Sequence, residues 1–406
     1  IICVVSVNFR KTPTLRLEVK TMIPVKKLVM IPGPVPVSPS VLQRLGSEVK
    51  AHTDPDFVAE FQALLAELRS ITNCDGIAFL VAGSGTMGME MAIANIANEK
   101  DRVLVCSNGH FGDRYISICK NRGLDMTTLE AEWGMSVTPE EVDRKLSEGG
   151  YTVAVVTHVE TSTGVELPLK EMAGMMKEKH PEVLFVVDGV AAGGGVAVDM
   201  AWGIDVYFTC TQKALCSVPG MSVVWTGSRA LKKREEMGSI RESYIDYARW
   251  IPVMTDTKKY WGTPAVNNIS ALKESVRIML EEGLDERYRR HRDHACLIAE
   301  AMSAIGFRTL AKEGYRSPTL SIFLYPEKMP VDDAVFRAVC AAEGALVAAC
   351  LGDYAGKGFR MGHMGNIDKH MLISGVAAIE RAAISCGLEV MPGAALAVMQ
   401  RGLAGK

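Results

Sequence analysis

The chain has 406 residues, which is too long for one ordinary hydrophobic core because such cores stop growing near ~250 residues, and two domains are expected. Acidic residues outnumber basic ones by only two, which argues against a nucleic-acid-binding surface and favours a small-molecule substrate. No apolar run approaches the ~18 residues that a membrane helix needs. The ten cysteines form no CxxC pair, and a reducing compartment, the cytoplasm, is expected.

Residues 1–29 are predicted to form an N-terminal arm, and a large domain is predicted over 30–283. The stretch IPGPVPVSPS at 31–40 is expected to be extended, since proline fixes φ and lacks a donor. After it, apolar runs alternate with helical patterns such as TMGMEMAIANIA. The runs are GIAFLVA, DRVLVCS, YTVAVVTHV, VLFVVDGV and DVYFTC. This alternation predicts an α/β domain with a mostly parallel sheet covered by helices.

A helical pattern of more than thirty residues, from ALKESV to AMSAIG, is broken only at Gly283 and predicts two helices or one bent helix. Beyond it, the run TLSIFLYP, the helical run VDDAVFRAVCAAEG, a strand ending at FRMGH and a last helix closed by Gly387 predict a small α+β domain over 284–406. Within RYRRHRDH, His291 and His294 could share a metal ion. No third ligand is evident, so no metal site is expected, and the run is interpreted as a solvated basic face.

The segment from Gly83 to Gly88 reads GSGTMG, which has the form of a dinucleotide-binding fingerprint. A true fingerprint needs an acidic residue about 20 residues later, and the next strand, RVLVCSNGH, has none. A phosphate site remains plausible on physical grounds, because Ser84, Gly85 and Thr86 would offer N–H groups and hydroxyls at the positive end of a helix. A glycine-rich turn without a ligand is the alternative.

Two residues at strand ends carry the strongest chemical signal. Asp188 ends an apolar strand, where an unpaired carboxylate is costly, so a cationic partner such as a protonated pyridine nitrogen is expected. Lys213 follows another apolar strand, where burial would lower its pKa and leave a nucleophilic amine. The alternatives are a helix-capping aspartate and a solvated lysine.

These motifs together resemble the class V aminotransferases, and within them the alanine:glyoxylate and serine:pyruvate or serine:glyoxylate aminotransferases. The matching segments occur in the family's order over residues 30 to about 390 and are PGP (32–34), GSGT (83–86), NGHFGDR (108–114), ETSTGV (160–165), VVDGVA (186–191), TQKAL (211–215), Tyr260 with Thr263, and FRMGHMG (359–365). The resemblance implies fold-type I, in which a large domain with a seven-stranded-type sheet binds pyridoxal 5'-phosphate (PLP) beside a smaller C-terminal domain.

The resemblance also implies roles for individual residues. Lys213 would form the Schiff base with PLP and shuttle a proton, and Asp188 would pair with the pyridinium nitrogen. The other implied cofactor contacts are Ser84, Gly85 and Thr86 at the phosphate, Phe111 on the ring face, Ser162 and Gln212 near the ring hydroxyl, and Tyr260 and Thr263 from a neighbouring subunit. Arg360 would grip the substrate carboxylate bidentately, opposite the Gly33 region, although a surface arginine is the alternative for Arg360.

The implied reaction is transamination between a small amino acid, alanine or serine, and a 2-oxo acid, glyoxylate or pyruvate, in a homodimer with shared active sites. Phe111 stands in place of the family's usual Trp, and Trp261 with Gly262 in place of a usual His, so substrate choice stays open. The alternatives are 2-aminoethylphosphonate:pyruvate or ureidoglycine:glyoxylate transamination, a cysteine desulfurase that uses Cys350, and a non-catalytic subunit that keeps the fold.

Overall fold

The computed structural model describes residues 26–404 and, nearer the N-terminus, the backbone of two short strands. These strands, β1 (Cys3–Ser6) and β2 (Arg16–Val19), pair antiparallel. Most of the expected N-terminal arm, residues 1–29, therefore lies outside the described residues.

The chain then continues through β3 (Leu28–Val29), α1 (Pro39–Leu45) and α2 (Pro55–Ile71). The first helix begins inside the stretch that was expected to be extended throughout. Pro39 occupies the first turn of α1, where its missing N–H has no helical acceptor in any case. The expectation therefore fails for the last two residues of 31–40.

Seven strands form the central sheet. In chain order, the elements of this region are β4 (Ile77–Ala82), α3 (Gly85–Ala94), β5 (Arg102–Ser107), α4 (His110–Asn121), β6 (Asp125–Glu130), α5 (Pro139–Leu146), β7 (Val153–Thr157), β8 (Val159–Glu160), β9 (Val165–Glu166), α6 (Leu169–Lys179), β10 (Leu184–Asp188), β11 (Val206–Cys210), β12 (Met221–Thr226), α7 (Ser228–Glu236) and α8 (Tyr247–Thr255). The strand order is β4-β12-β11-β10-β7-β5-β6, and within this sheet only β12 runs antiparallel to its neighbours. The predicted mostly parallel sheet of seven strands is confirmed.

Two strands of this sheet, β6 and β12, do not correspond to any of the five apolar runs in the sequence. β6 is an edge strand with the sequence DMTTLE, whose side chains are half-buried or exposed, so it lacks an apolar run. β12 is buried along its length but includes polar residues. One of them, Ser222, is satisfied by donating to the Thr209 carbonyl at 2.9 Å. Such a partner lies outside the reach of local sequence patterns.

The predicted break at Gly283 is confirmed, because α9 (Val266–Glu282) and α10 (Leu284–Ser303) are separate helices and Gly283 has φ +84° between them. The following elements are β13 (Arg308–Thr309), β14 (Leu320–Leu324), α11 (Asp333–Glu343), β15 (Ala345–Leu346), β16 (Ala348–Ala349), β17 (Gly358–Gly362), α12 (Lys369–Ser385) and α13 (Ala394–Leu403). Strands β13, β14, β17 and β16 form an antiparallel sheet beside these helices. α13 follows the helix that the sequence predicts to be the last.

Buried apolar side chains form separate clusters along the chain. One large cluster runs from Phe57 to Met279 and includes the strands of the central sheet. A second cluster combines Met30 with residues between Leu297 and Met399. Met30 joins this cluster because β3, immediately before it, pairs in parallel with β15. The segment that leads to the first proline motif is therefore anchored in the C-terminal part of the chain.

The basic run in α10 is a solvated face only in part, because some of its members are exposed and others are buried, which corrects the interpretation made from its sequence. Arg287 and His291 are buried. Arg287 donates to the carbonyls of Gly194 and Ala214, both at 2.8 Å, and His291 accepts at Nε2 from the Gly365 N–H at 2.7 Å. The helical period turns these residues toward the large sheet region, where backbone carbonyls and a carboxylate at the end of α9 together satisfy the guanidinium. Among the described residues, no three potential ligands gather as a metal site.

Within residues 26–404, no helix combines the length and the apolar character that a membrane span requires.

Candidate active site

The two strand-end residues that stand out in the sequence lie at the same edge of the central sheet. Asp188 is the last residue of β10, and Lys213 follows β11 after two intervening residues. Strands β10 and β11 are parallel neighbours, and their register places Asp188 opposite Phe208. Because the carboxyl ends of parallel strands open at one edge of a sheet, both residues face a location where ligands commonly bind.

Asp188 is a buried carboxyl group with few partners. Its Oδ1 accepts from the Val190 N–H at 2.9 Å. Burial raises its pKa to about 7, Glu160 acts in the same direction, and the positive charges of Lys213 and Arg114 oppose the rise. A carboxylate in this position is stabilised by a cation, so the site is suited to a positively charged ring nitrogen.

Lys213 lies at the bottom of the same site, half-buried, with its Nζ donating to the Pro32 carbonyl. Burial lowers the pKa of its amine, and the nearby charge of Arg360 lowers it further. Gly33 passes directly over the side chain. A Cβ on Gly33 would stand 2.6 Å from Lys213 Cδ, and the φ of +90° at Gly33 also favours glycine. The structure thus brings Gly33 and Lys213 together.

The GSGT motif forms the start of α3. Ser84 is the N-cap residue, and its side chain caps none of the helix N–H groups. Gly85 is packed so closely that a Cβ there would stand 2.8 Å from Val190 Cγ2. Next to Lys213 in the chain, the Gln212 Oε1 atom is buried without a hydrogen-bond partner among the described residues. Uncapped N–H groups at a helix start fit a phosphate, and the unpartnered amide oxygen fits a bound polar group.

Glu160 connects two of the motifs. Its Oε2 accepts from the N–H groups of Phe111 (2.9 Å) and Gly112 (3.2 Å), and its Oε1 accepts from the N–H (2.9 Å) and Oγ (2.8 Å) of Ser162. Burial raises the pKa of Glu160, while these hydrogen bonds oppose the rise. A carboxylate at the start of α4 also meets the positive end of that helix. Glu160 therefore determines where Phe111 and Ser162 lie.

Ser162 has little hydrogen-bonding capacity left. Its hydroxyl proton is donated to Glu160, and its Oγ accepts from the His110 N–H at 3.0 Å. A serine hydroxyl has one proton and two lone pairs, so one lone pair remains. Toward a ligand, Ser162 can act in this arrangement only as an acceptor.

Arg360 lies on β17 and reaches toward the same site. Its Nε donates to the Ala349 carbonyl at 2.7 Å and its Nη1 to the Thr161 carbonyl at 3.4 Å. It forms no ion pair with any residue in the described chain. Burial lowers its pKa, and the charge of Glu160 acts against this. A half-buried guanidinium with carbonyl partners alone can still bind a carboxylate.

Tyr260 and Thr263 are not at the site within one chain. Both are exposed, and their hydroxyl groups lie 3.3 Å apart. The Tyr260 ring packs against His52, with 5.3 Å between ring centroids. In the described chain, neither residue hydrogen-bonds to the start of α3 at Ser84.

Sequence reasoning assigned no role to three residues near the site. Arg114 donates from Nη1 to Thr86 Oγ1 at 3.2 Å, and Tyr244 donates from its hydroxyl to the Ala82 carbonyl at 3.3 Å. Glu160 is the third. Glu160 and Arg114 stand inside the quoted motifs ETSTGV and NGHFGDR, which could have drawn attention to them. No local pattern points to Tyr244.

Comparison with known proteins decides the family. The family model of the class-V aminotransferases matches residues 51–350. This chain belongs to the class-V aminotransferases. The resemblance seen in the sequence motifs is therefore confirmed, and the chain is an aminotransferase, which transfers an amino group between an amino acid and a 2-oxo acid.

Individual members of the family are similar over nearly the whole chain. An uncharacterised aminotransferase of Methanocaldococcus jannaschii is 34% identical, covering 90% of this chain and 95% of its own length. The crystal structure of ureidoglycine–glyoxylate aminotransferase from Bacillus subtilis is 28% identical with a TM-score of 0.86, covering 94% of this chain and 99% of that one. An alanine–glyoxylate aminotransferase structure from Nostoc sp. is 30% identical with a TM-score of 0.83, covering 93% and 100%. The fold-type I architecture is thereby confirmed.

Proposed function

We propose that this class-V aminotransferase binds PLP at Lys213 and transfers the amino group of alanine or serine to glyoxylate or pyruvate. The observation that carries the proposal is the buried pair of Asp188, whose pKa is raised to about 7, and Lys213, whose pKa is lowered, beside an uncapped helix start. When bound, PLP supplies an electron sink for the electrons released at the substrate α-carbon. The chain supplies everything that orients the reactants and moves protons.

Lys213 is the proposed proton carrier. Its lowered pKa favours the neutral amine, which could accept a proton from the substrate α-carbon and deliver it to the C4' carbon of the cofactor. Asp188, in turn, would keep the ring nitrogen protonated, because the buried carboxylate is stabilised by a positive charge. Both roles follow from burial, since the same groups in water would have ordinary pKa values.

Cofactor positioning is proposed for a further set of residues: Ser84, Gly85 and Thr86 at the phosphate, Phe111 at the ring face, and Ser162 and Gln212 near the ring hydroxyl. Gln212 is supported by its unpartnered buried Oε1 atom. For Ser162, the remaining lone pair limits the proposal to accepting a hydrogen bond.

Arg360 is proposed to bind the substrate carboxylate, with Gly33 closing the opposite side. The guanidinium forms no ion pair with a described residue, and its positive charge lowers the pKa of Lys213, which supports a position near the reacting amine. Anchoring the carboxylate would fix the α C–H bond relative to the cofactor ring.

Of the two acceptors, glyoxylate and pyruvate, we propose glyoxylate as the preferred one. The names of the two solved structures described above pair glyoxylate with two different compounds, ureidoglycine and alanine. The donor therefore varies among similar proteins, and ureidoglycine remains an alternative to alanine or serine for this chain. Transamination of 2-aminoethylphosphonate is a further alternative.

A desulfurase reaction is disfavoured by the thiol that it would need. Cys350 is buried, and burial raises its pKa to about 12, so almost no thiolate forms at neutral pH. The cytoplasm is the proposed compartment, supported by the cysteines whose side chains are described, all of which are free thiols.

A homodimer with shared sites is also proposed. Tyr260 and Thr263 are exposed as a hydrogen-bonded pair on the surface of one chain, which makes their hydroxyls available to a second copy. Uncapped N–H groups alone offer few side-chain donors to a phosphate dianion.

The experiment that tests the proposed reaction is a panel of donors and acceptors with purified, PLP-loaded protein. Alanine, serine, ureidoglycine and 2-aminoethylphosphonate are each combined with glyoxylate, pyruvate and 2-oxoglutarate, and product formation is measured. The proposal expects the highest kcat/KM for alanine or serine with glyoxylate or pyruvate. Highest activity with 2-oxoglutarate, or with the phosphonate donor, would contradict it.

A further inference from the structure

Arg114, on the second turn of α4, makes three contacts beside the proposed phosphate site. Its Nη1 donates to Thr86 Oγ1 at 3.2 Å, its Nη2 lies 3.3 Å from His110 Nε2, and its guanidinium lies over the Phe111 ring, 4.6 Å from the centroid. It is half-buried and forms no ion pair with any residue of the described chain. Arg114 is therefore a partly desolvated cation without an acidic partner.

The direction of these hydrogen bonds matters. Arginine has five N–H donors and no acceptor, so Thr86 Oγ1 and His110 Nε2 must both accept. Since its oxygen accepts from Arg114, Thr86 keeps its own hydroxyl proton free to be donated elsewhere. Thr86 is the second residue of α3, at the positive end of that helix. The free proton thus belongs to a group in the first turn of a helix, near the end where an anion is favoured.

The charge of Arg114 also extends into the site. Arg114 is among the groups that lower the pKa of Asp188, although the two belong to different elements. In a partly buried site, such a charge acts over several ångströms with less screening than in water. Stacking on Phe111 holds the guanidinium in one plane and, in turn, restrains the ring.

We infer that Arg114 is a positioning residue of the phosphate site, which orients the Thr86 hydroxyl toward the phosphate, adds positive charge beside it and restrains Phe111. The inference rests on the proposed binding of PLP. Arg114 lies on the same helix, α4, as Phe111, and it is 28 residues from Thr86 in the chain. Because two of these three effects act on the phosphate, the inference predicts a difference in affinity between ligands with and without that group.

The test compares Arg114→Met and Arg114→Lys with a matched control. Arg102 makes the same two kinds of contact away from the site, since its guanidinium lies 4.4 Å from the Tyr151 ring centroid and its Nη2 donates to Thr127 Oγ1 at 3.4 Å. Arg102→Met therefore removes an equivalent stacking and threonine contact. Dissociation constants of PLP and of pyridoxal, which lacks the phosphate, are measured by titrating each apoprotein and following cofactor absorption.

The inference expects Arg114→Met to weaken PLP binding about 10- to 100-fold, as for loss of a hydrogen bond from a charged group, and to weaken pyridoxal binding much less, because only the ring-side effects act on both ligands. Arg114→Lys keeps the positive charge but loses the planar fork, so its affinity for PLP should lie between those of the wild type and Arg114→Met. Arg102→Met should bind PLP like the wild type. Competition between inorganic phosphate and PLP reports on the phosphate site independently of the bond to Lys213. Inorganic phosphate should compete with PLP less well in Arg114→Met than in the wild type.

Unchanged PLP affinity in Arg114→Met, or equal weakening of PLP and pyridoxal, would overturn the inference, because either result would leave Arg114 without a role at the phosphate. Failure of the wild-type protein to bind PLP at all would instead contradict the proposed function. The two failures are therefore distinguishable.

Discussion

The Nζ atom of Lys213 donates a hydrogen bond to the carbonyl oxygen of Pro32, which lies 181 residues earlier in the chain. Pro32 follows Met30, which packs in the C-terminal cluster, whereas Lys213 follows a strand of the central sheet. The position of the amine thus depends on both parts of the chain.

Replacing Lys213 with alanine should abolish turnover and the visible absorption of bound cofactor, since no other amine stands at this site in the proposed mechanism. The protein should remain folded, because the change removes a half-buried amine whose desolvation lowers its pKa and is thus unfavourable to its charge. Activity and absorption after incubation with PLP are measured, with Lys145→Ala as the control on a surface ion pair with Glu148. A Lys213→Ala protein that keeps the cofactor absorption would contradict the proposal.

Replacing Asp188 with asparagine should lower kcat steeply while PLP remains bound, because a neutral amide cannot keep the ring nitrogen protonated. In the apoprotein, the same change should be stabilising at neutral and higher pH. Folding raises the pKa of Asp188 from 3.8 to about 7, so its contribution to stability is present below pH 4 and is lost as pH rises through 7. Over this pH window, the free energy of unfolding of the Asp188→Asn apoprotein should therefore rise relative to that of the wild-type apoprotein, by up to about 4 kcal/mol.

The measurement is denaturant unfolding of both apoproteins between pH 4 and 8. A stability difference that does not grow with pH would show that Asp188 is not held in an unfavourable charged state. Adding PLP should reduce the difference, because a cationic ring nitrogen would compensate the carboxylate.

Glu160→Gln should destabilise the protein by about 2–4 kcal/mol, since the amide NH₂ would replace an oxygen that accepts from backbone N–H groups and leave them unsatisfied. Glu166→Gln is a matched control in the same β8–β9 hairpin, because Glu166 has a 3.5 Å ion pair with the exposed Arg292. The control should cost at most about 1 kcal/mol. Unfolding free energies of the two variants are compared, and equal values would mean that Glu160 does not organise the start of α4.

Mixing two inactive variants should restore activity if active sites are shared between subunits. Lys213→Ala chains and Tyr260→Phe/Thr263→Ala chains are combined under conditions of subunit exchange. In a mixed dimer, one site would inherit both defects and the other neither, so about half of the sites in such dimers should be intact. Absence of activity, with exchange confirmed independently and each parent inactive, would show that the sites are not shared.

The sequence by itself determined the features that depend on neighbouring residues. Apolar runs predicted five strands of the central sheet, Gly283 marked the break between two helices, and the order of the motifs identified the family. Asp188 and Lys213 stood out because each follows an apolar strand, and parallel pairing of β10 and β11 then placed both at one edge. These are local patterns combined with a topological rule, so they need no knowledge of distant contacts.

Only the tertiary structure decided which remote groups satisfy the buried polar atoms. Arg287 looked solvated in a basic run, yet it is buried against the Gly194 and Ala214 carbonyls, and Glu160 holds N–H groups 48 and 49 residues away. The physical reason is that burial of a charge is settled by whether partners meet it after folding, and those partners lie far away in the sequence, in loops and at the start of α4, where no periodic signal points to them. Spacing along the chain predicts which face a side chain occupies, but not what faces it.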